Sequence, residues 1–552
     1  MTSLKKKAIF LPIIALLLIA LVVANVIVSQ YARVISRFLG GMSGDELQLT
    51  DSEQTALAES DALCQEMGED SFVLLKNKDN ALPLSSDVTN INVFGYGATD
   101  NGFLLRGVGS GSSTISNSAK VTLLTALKDA GFNVNEKVLA KYNGLTGVRP
   151  NSPNSSNVYS LNEPDVSVFG DVIDEAKTFS DVALFVLSRD GGENVGEIPS
   201  SYLKITAKEQ ATLNYLHQNF GTVIVLLNTT NTMHCGFLED DTVDACLFVG
   251  ITGQSAARAI PSILRGYKTE DGKTVDVYPS GKTSDTYVYS PTYDPTWANR
   301  EPSSKSIQYA EDIYFGYKWY ETADAEGFFD DVTNEYGSGY DGVVQFPFGY
   351  GLSYTSFKWT IKEISVSTGN TITEDTEFTI KVNVENTGLY PGKDVVQLYY
   401  TPTYVKGGIE KADVNLIDFA KTAELQPGQA QDVTLTCTAY ELASYDCYDK
   451  NDNGYAVYEI DAGTFTLSLR TDAHTLADCG GREEMSYYTN EIIFDTDPTT
   501  DGEISNRLTG DSAYAGVPID GSTAGITTKY LTRDNFKYSF PKTNSPTPNG
   551  SV

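Results

Sequence analysis

The chain is poor in the residues that bind nucleic acids and zinc. Lysine and arginine together number 40 against 72 aspartates and glutamates, so the formal net charge at pH 7 is −32. Because nucleic-acid phosphates are held by Lys and Arg, this balance argues against a nucleic-acid partner. The 3 histidines leave little for a zinc site, and no metal site is predicted.

Cysteine is also scarce, and its spacing excludes the common metal and redox motifs. The 6 cysteines are scattered and include no C-x-x-C pair. Their even number permits disulfides, and Cys437 and Cys447 lie closest in sequence. Spacing alone leaves the disulfide state open.

One long apolar run is present, near the N-terminus. Lys5, Lys6 and Lys7 precede uncharged, mostly apolar residues from Ala8 to about Gln30. A bilayer takes about 20 residues to cross, whereas a signal-peptide core has roughly 7–15. Residues 1–30 are therefore predicted to be a cytoplasmic stub and transmembrane anchor. The expected localisation is single-pass in the cell membrane with the body extracellular. The alternative is a cleaved signal peptide, which would also direct the rest of the chain out of the cytoplasm.

The next 260 or so residues have the pattern of an α/β domain. Residues 31–70 are interpreted as a linker and a helix from Asp51 to about Gly68, with an apolar stripe at Leu57, Leu63, Cys64 and Met67. From 71 to 290, apolar runs such as "INVFGYG", "DVALFVLSR" and "GTVIVLLNTT" alternate with helical patterns. This alternation predicts a mostly parallel sheet covered on both faces.

A second, all-β region follows. Residues 291–357 are interpreted as an interdomain segment. From 358 to 475, stretches such as "FTIKVNVENTG" and "GTFTLSLR" alternate with period two between turn residues, which predicts a β-sandwich. Residues 476–552 are rich in Asp, Thr, Ser, Gly and Pro, and this composition is typical of a linker-like tail.

Two glycine-rich stretches follow predicted parallel strands, where ligands bind in open α/β sheets. In "VFGYGATDNGFLLRGVGSGSS", Gly107, Gly109 and Gly111 do not have the G-x-G-x-x-G spacing of a dinucleotide loop. The loop is suited to offer hydroxyls and backbone groups to a polyhydroxylated ligand, or it is a solvated loop without a ligand. In "VALFVLSRDGGEN", a buried strand is predicted to end in a flexible loop that carries Glu193.

A series of motifs in fixed order resembles the C-terminal half of family 3 glycoside hydrolases. They are "VLLKNKDNALPL", "LSRDGGEN", "VIVLLNTTN", "YPSGK", "YAEDIYFGYKWYET", "FPFGYGLSYTSF", "VENTGLYPGKDVVQLYY" and "LQPGQ", within roughly Leu57 to Leu469. The resemblance implies the fold class: α/β, a mostly parallel α/β sandwich followed by an all-β fibronectin type III-like sandwich, here with an N-terminal transmembrane helix.

The resemblance also implies site residues. In this family a sugar is held between a (β/α)8 barrel, which carries an aspartate nucleophile, and the α/β domain, which in many members contributes a glutamate acid/base. Glu193 matches that glutamate, and Glu197 is the alternative because Asn194 stands where the family often has glycine. Retaining glycosidases need two such carboxyls about 5–5.5 Å apart. Arg189 is expected to orient the loop or touch the sugar. Further sugar contacts are expected from Arg106, Ser110 and Ser112.

The barrel itself has no counterpart in this sequence. It needs about 250 residues, and none of the Ser-Asp pairs is followed by the Trp of the family's nucleophile motif. "YLTRDNFKYSFPK" (Tyr530–Lys542) resembles the connector of family members whose barrel comes last. The expectation is a reversed-order enzyme whose barrel is on a separate chain, truncated or lost.

The predicted function is that of a β-glucosidase-like, retaining glycoside hydrolase component in carbohydrate metabolism. It contributes the acid/base and part of the sugar site, and it is incomplete without the barrel. The expected partners are a β-linked glucoside or oligosaccharide and a separate barrel chain. This chemistry needs no cofactor. The alternative is a non-catalytic cell-surface module that binds carbohydrate or acts as a scaffold.

Overall fold

The computed structural model describes residues 16–25, 28, 31, 50–106, 115, 120–145, 159–160, 163–190, 203–299, 309–505 and 530–541. The chain divides into two units, Met1–Ser60 and Asp61–Val552. The domains and the candidate site described below all belong to the second unit.

The predicted membrane anchor lies mostly outside the described residues. Of its apolar run, residues 16–25 are described and helical. Among the residues that the structure describes, no helix is both long enough and apolar enough to span a bilayer. The single-pass localisation stays a prediction.

The helix predicted from Asp51 is confirmed as α1, Asp51–Ser71. Thr50 precedes it, and its backbone N–H donates to Glu53 Oε2 at 2.9 Å, which satisfies a donor at the start of the helix. The predicted apolar stripe is not a buried face, because Leu57, Leu63 and Met67 are exposed and Cys64 is half-buried.

The first domain is built on a seven-stranded sheet in the order β1-β7-β6-β5-β2-β3, with β4 beside β5. The strands are β1 Val73–Asn77, β2 Asn90–Phe94, β3 Asn133–Val134, β4 Tyr159–Ser160, β5 Val182–Asp190, β6 Thr222–Thr229 and β7 Ala245–Phe248. Strands β2, β3, β5, β6 and β7 pair in parallel, whereas β1 and β4 are antiparallel to their neighbours. The prediction of a mostly parallel sheet is confirmed.

Helices cover both faces of this sheet. They are α2 Leu123–Asp129, α3 Glu136–Asn143, α4 Ile173–Phe179, α5 Ala207–Asn219 and α6 Ala259–Arg265. All 9 residues of β5 are buried. Because side chains alternate along a strand, its residues divide between two hydrophobic cores, Val182, Leu184 and Val186 in one and Ala183, Phe185 and Leu187 in the other. This explains why β5 reads as an unbroken apolar run.

A linking region joins the two domains. It contains the hairpin β8 Tyr267–Glu270 with β9 Lys273–Asp276, the pair β10 Tyr287–Val288 with β11 Val344–Phe346, and the helices α7 Pro295–Asn299 and α8 Tyr317–Ala325. The segment after β11 touches both domains: Leu352 N–H donates to Leu74 O at 2.9 Å, and Gln397 Nε2 donates to Gly349 O at 3.2 Å. The two domains therefore contact each other through "FPFGYGLSYTSF".

The second domain is the predicted β-sandwich. Its sheets have the orders β12-β13-β16, β15-β14-β19-β20 and β17-β18-β21. The strands are β12 Phe357–Val366, β13 Glu377–Asn386, β14 Val395–Thr401, β15 Asn415–Lys421, β16 Ala430–Thr438, β17 Ser444–Tyr445, β18 Tyr458–Ile460, β19 Gly463–Arg470, β20 Glu484–Thr489 and β21 Ile492–Phe494. The predicted end at 475 was too early, because β20 pairs with β19 and β21 pairs with β18.

Part of the predicted linker-like tail is also folded. Residues 530–541 include the short helix α9, Phe536–Ser539. Leu531 and Phe536 are buried in one cluster with Trp319 of α8, and Arg533 donates to Asp413 Oδ1 at 2.8 Å and Glu326 Oε1 at 2.7 Å. The prediction of a linker was wrong for these residues. A few apolar side chains are enough to order a short segment when a distant part of the chain buries them.

None of the six cysteine thiols forms a disulfide, and all six belong to the described residues. Cys235, Cys246 and Cys437 are buried in the hydrophobic cores.

Candidate functional site

The site predicted from the sequence lies at one edge of the α/β sheet. Because β2, β5 and β6 are parallel neighbours, the residues that follow them leave the sheet at the same side. Glu193 and Glu197, directly after β5, lie outside the described residues, as do Ser110 and Ser112. On either side of residues 191–202, the structure describes the flanking residues and the contacts that hold them in place.

A buried ion pair ties those two ends together. Arg189, near the end of β5, donates from Nη1 to Glu209 Oε1 at 2.9 Å and from Nη2 to Glu209 Oε2 at 2.7 Å. The two side chains are only 1% and 3% exposed. Arg189 Nη2 also donates to Lys204 O at 3.2 Å, beyond the end of the segment. This burial favours the loop-orienting role of Arg189 over direct contact with a sugar.

Glu209 is positioned by a helix cap that the sequence encodes locally. Thr206 and Glu209 form a capping box at the start of α5: Glu209 N–H donates to Thr206 Oγ1 at 3.2 Å, and Thr206 N–H donates to Glu209 Oε2 at 2.7 Å. The T-x-x-E spacing is a recognisable signature of this cap. The sequence analysis missed Glu209, although this motif predicts the start of the helix that carries it.

A second polar residue fixes the loop after β2. The buried Asn228, at the end of β6, accepts from Leu104 N–H at 2.6 Å and Ser188 Oγ at 3.0 Å. Its Nδ2 donates to Leu104 O at 3.0 Å and Gly250 O at 2.7 Å. Arg106, two residues after Leu104, is exposed at this edge. Its predicted contact with a sugar stays a prediction.

Below this edge lies a carboxyl that is protonated at neutral pH. Glu163 Oε1 accepts from Tyr142 Oη at 2.7 Å and from Thr212 Oγ1 of α5 at 3.4 Å. Burial raises the pKa of Glu163 to about 8, against the lowering effect of the Tyr142 hydrogen bond. Glu163 therefore acts as a neutral hydrogen-bonding group between α5 and the core beneath the edge.

Glu163 is expected to make the stability of the α/β domain depend on pH. Its folded pKa of about 8 is above the unfolded value, so the stabilisation is complete below about pH 4 and is lost as the pH rises towards 8. From pH 5 to 7, the free energy of unfolding of the wild type is expected to fall by about 2 kcal/mol relative to Glu163→Gln. Urea denaturation at several pH values measures this difference. Glu136→Gln, which changes an exposed carboxylate, is the control. If the free energy of unfolding changed equally with pH in the wild type and in Glu163→Gln, the raised pKa of Glu163 would be contradicted.

A cavity of about 240 Å³ lies beside the exit of residues 191–202. Leu203, His234, Asp294, Trp297 and Tyr320 contribute to its lining, and His234 N–H donates to Leu203 O at 2.7 Å. Burial, with a smaller effect of the Lys204 charge, lowers the pKa of His234 to about 4, so its imidazole is neutral at pH 7. The sequence analysis did not identify this lining, since its residues come from separate parts of the chain.

Two sequence profiles match the chain. Residues 72–354, about half of the chain, match the glycosyl hydrolase family 3 C-terminal domain, and residues 394–473 match a fibronectin type III-like domain. These matches confirm the family resemblance on which the site prediction depends.

Relatives and solved structures agree with the profiles. The chain is 32% identical to a β-glucosidase of Ruminococcus albus, over 75% of this chain and 40% of the relative. It is 26% identical to β-glucosidase A of Butyrivibrio fibrisolvens, over 85% and 56%. The chain thus spans about half the length of these curated relatives.

Two solved structures are similar. One is a β-glucosidase from Paenibacillus barengoltzii, with a TM-score of 0.65, 26% identity, and coverage of 82% of this chain and 45% of that one. The other is β-glucosidase 3B from Thermotoga neapolitana in complex with α-D-glucose, with a TM-score of 0.62, 25% identity, and coverage of 79% and 55%. From its profile match, its motifs and its fold, the chain belongs to glycosyl hydrolase family 3.

Proposed function

We propose that this chain provides the α/β and β-sandwich part of a retaining, β-glucosidase-like glycoside hydrolase, with Glu193 as the acid/base. The observation that carries the proposal is the buried strand β5, which ends directly before the segment with Glu193. The Arg189–Glu209 pair holds the residues on both sides of that segment. The described residues on either side of the segment are thus fixed at the edge of the sheet, which supports the assignment of the acid/base to this segment.

The proposed reaction needs a second carboxylate. A retaining enzyme attacks the anomeric carbon with one carboxylate while the other carboxyl, about 5–5.5 Å away, protonates the leaving oxygen. Within the described residues, all parallel strand pairs belong to one open sheet, so these residues contain no (β/α)8 barrel. We infer that the nucleophile comes from a barrel outside them and that hydrolysis requires it.

The proposed substrate is a β-linked glucoside or oligosaccharide. The names of the relatives, several of which are β-glucosidases, and the family membership of this chain support that choice. The cavity beside residues 191–202 offers an indole ring and a carboxylate, Trp297 and Asp294. The indole is suited to stack on a sugar ring, whereas both Asp294 oxygens already accept hydrogen bonds, Oδ1 from the N–H groups of Thr296 and Trp297 and Oδ2 from Tyr320 Oη.

Reconstitution tests the proposal. The purified chain alone is expected to show no turnover of aryl β-glucosides, and turnover is expected to appear when a family 3 barrel is fused after Val552 or added as a second chain. Substantial turnover by the chain alone would contradict the need for a barrel. If the chain binds glucosides by calorimetry but stays inactive with the barrel, the non-catalytic carbohydrate-binding alternative would be correct instead.

A further inference from the structure

A second acidic site lies in the β-sandwich, far in sequence from residues 191–202. The stretch Asp449-Lys-Asn-Asp-Asn-Gly454 has the D-x-[DN]-x-[DN]-G pattern that begins calcium-binding loops. Here the next acid in the pattern, Glu459, comes one position earlier than in an EF-hand. The loop is followed by the strand β18 rather than by a helix. The pattern alone is not specific for calcium, and the site is inferred from the side chains around it.

The loop is folded so that its asparagines are directed towards two buried carboxylates and the exposed Glu491. Asp449 Oδ1 accepts from Asn453 N–H at 2.9 Å and from Gly454 N–H at 3.2 Å, and Gly454 adopts the left-handed conformation with φ of 85°. Asn451 Nδ2 donates to Glu459 Oε2 and to Asp461 Oδ1, both at 3.0 Å. Asn453 Nδ2 donates to the same Glu459 Oε2 at 2.8 Å.

Glu459 is the side chain that points to a cation site. Its side chain is 0% exposed, and its Oε1 accepts no hydrogen bond from any of the described residues. A buried ionised carboxylate is strongly unfavourable unless a cation or several donors compensate it. The two asparagine amides reach only Oε2, so the carboxylate is directed into the loop with one oxygen unused.

The buried charges around the loop leave an excess of two negative charges. Three carboxylates are buried, those of Asp446, Glu459 and Asp461, against one buried ammonium, that of Lys411. Lys411 Nζ pairs with Asp461 Oδ2 at 2.6 Å. Asp446 accepts from the backbone N–H groups of Tyr448 at 3.1 Å and Lys450 at 2.5 Å, which stabilise it without adding positive charge. One divalent cation would balance this group.

We propose that the loop 449–454 and strand β18 form a calcium-binding site, with Glu459, Asp449 and Asn451 as side-chain ligands and Asn453 and Asp461 beside them. Rotation of the Asn451 amide by 180° exchanges its N and O atoms, which would place an oxygen ligand next to Glu459, whereas Asn453 Oδ1 keeps the hydrogen bond from Tyr455 N–H at 2.9 Å. Calcium prefers carboxylate and amide oxygens in flexible loops. The described residues contain no metal centre of three or more His, Cys, Asp or Glu side chains. The proposed site therefore depends on the Asn451 amide oxygen in addition to its carboxylates.

Calorimetry and thermal unfolding of the chelator-treated full chain, with CaCl₂ alone as the probe, test the site. One calcium ion is expected to bind per chain and to raise the thermal midpoint. Glu459→Gln keeps an acceptor for the asparagine amides and removes one ligand charge. It is expected to weaken calcium binding about 10–100-fold without lowering the midpoint in the absence of calcium.

Two further variants distinguish lost ligation from general damage. Asn453→Asp adds a ligand charge and is expected to tighten calcium binding. Asp432→Asn makes the same change in charge as Glu459→Gln, but in β16 away from the loop, and is expected to leave calcium binding unchanged. The absence of saturable binding at millimolar calcium, equal affinities of wild type and Glu459→Gln, or equally tight binding of Mg²⁺ would overturn the proposal.

Discussion

Glu193→Gln, in the chain reconstituted with a barrel, is expected to slow the hydrolysis of glucosides with poor leaving groups by about 10²–10⁴-fold. The amide cannot transfer a proton to the leaving oxygen, and alkyl glucosides and cellobiose need that proton. Activated aryl glucosides such as dinitrophenyl glucoside need it little, so their first bond cleavage is expected to change far less. The expected effect is therefore on kcat and on its dependence on the leaving group, with substrate binding retained.

Glu197→Gln is the matched comparison, because it makes the same change four residues along the same segment. If Glu197→Gln has the leaving-group signature and Glu193→Gln does not, the acid/base is Glu197 and the rest of the proposed function stands. If neither variant has it in an active reconstituted enzyme, the acid/base is not in residues 191–202 as proposed.

Arg189→Met is expected to destabilise the α/β domain by about 3–5 kcal/mol, since it leaves the Glu209 carboxylate buried without its cation. The two side chains are 1% and 3% exposed, so water cannot replace the guanidinium. Urea denaturation measures the loss. The control is Lys137→Met, which breaks the exposed pair with Glu175 and is expected to cost less than about 1 kcal/mol.

The double variant Arg189→Met with Glu209→Gln separates charge from packing. The Glu209→Gln change keeps an acceptor for Thr206 N–H and removes the uncompensated charge, so much of the lost stability is expected to return. If Arg189→Met costs no more than Lys137→Met, the buried pair does not stabilise the ends of residues 191–202. The support that we assign to Glu193 would then have to come from elsewhere.

The α/β sheet and the β-sandwich could be predicted from the spacing of apolar residues, because the burial of a strand's faces determines which positions along that strand are apolar. Strand β5 reads as an apolar run since both of its faces lie in hydrophobic cores, and β13 and β16 alternate since only one face of each is fully buried. The prediction of a linker-like tail was wrong for the segment around Leu531 and Phe536, in which only a few apolar residues are buried. Leu531 and Phe536 are buried only because α8 provides Trp319 more than 200 residues earlier.

The sequence by itself determined the family, the class of each domain and the segment that carries Glu193, since motifs and periodicity are local properties of the chain. Tertiary structure decided what each polar group does. Arg189 has its charge satisfied by Glu209, Asn228 joins the segments that follow β2 and β7, and Glu459 is left with an unused buried oxygen. Whether a charged side chain is solvated, paired with another side chain or placed to bind a cation depends on which distant residues exclude water from it. Only the folded chain brings those residues together.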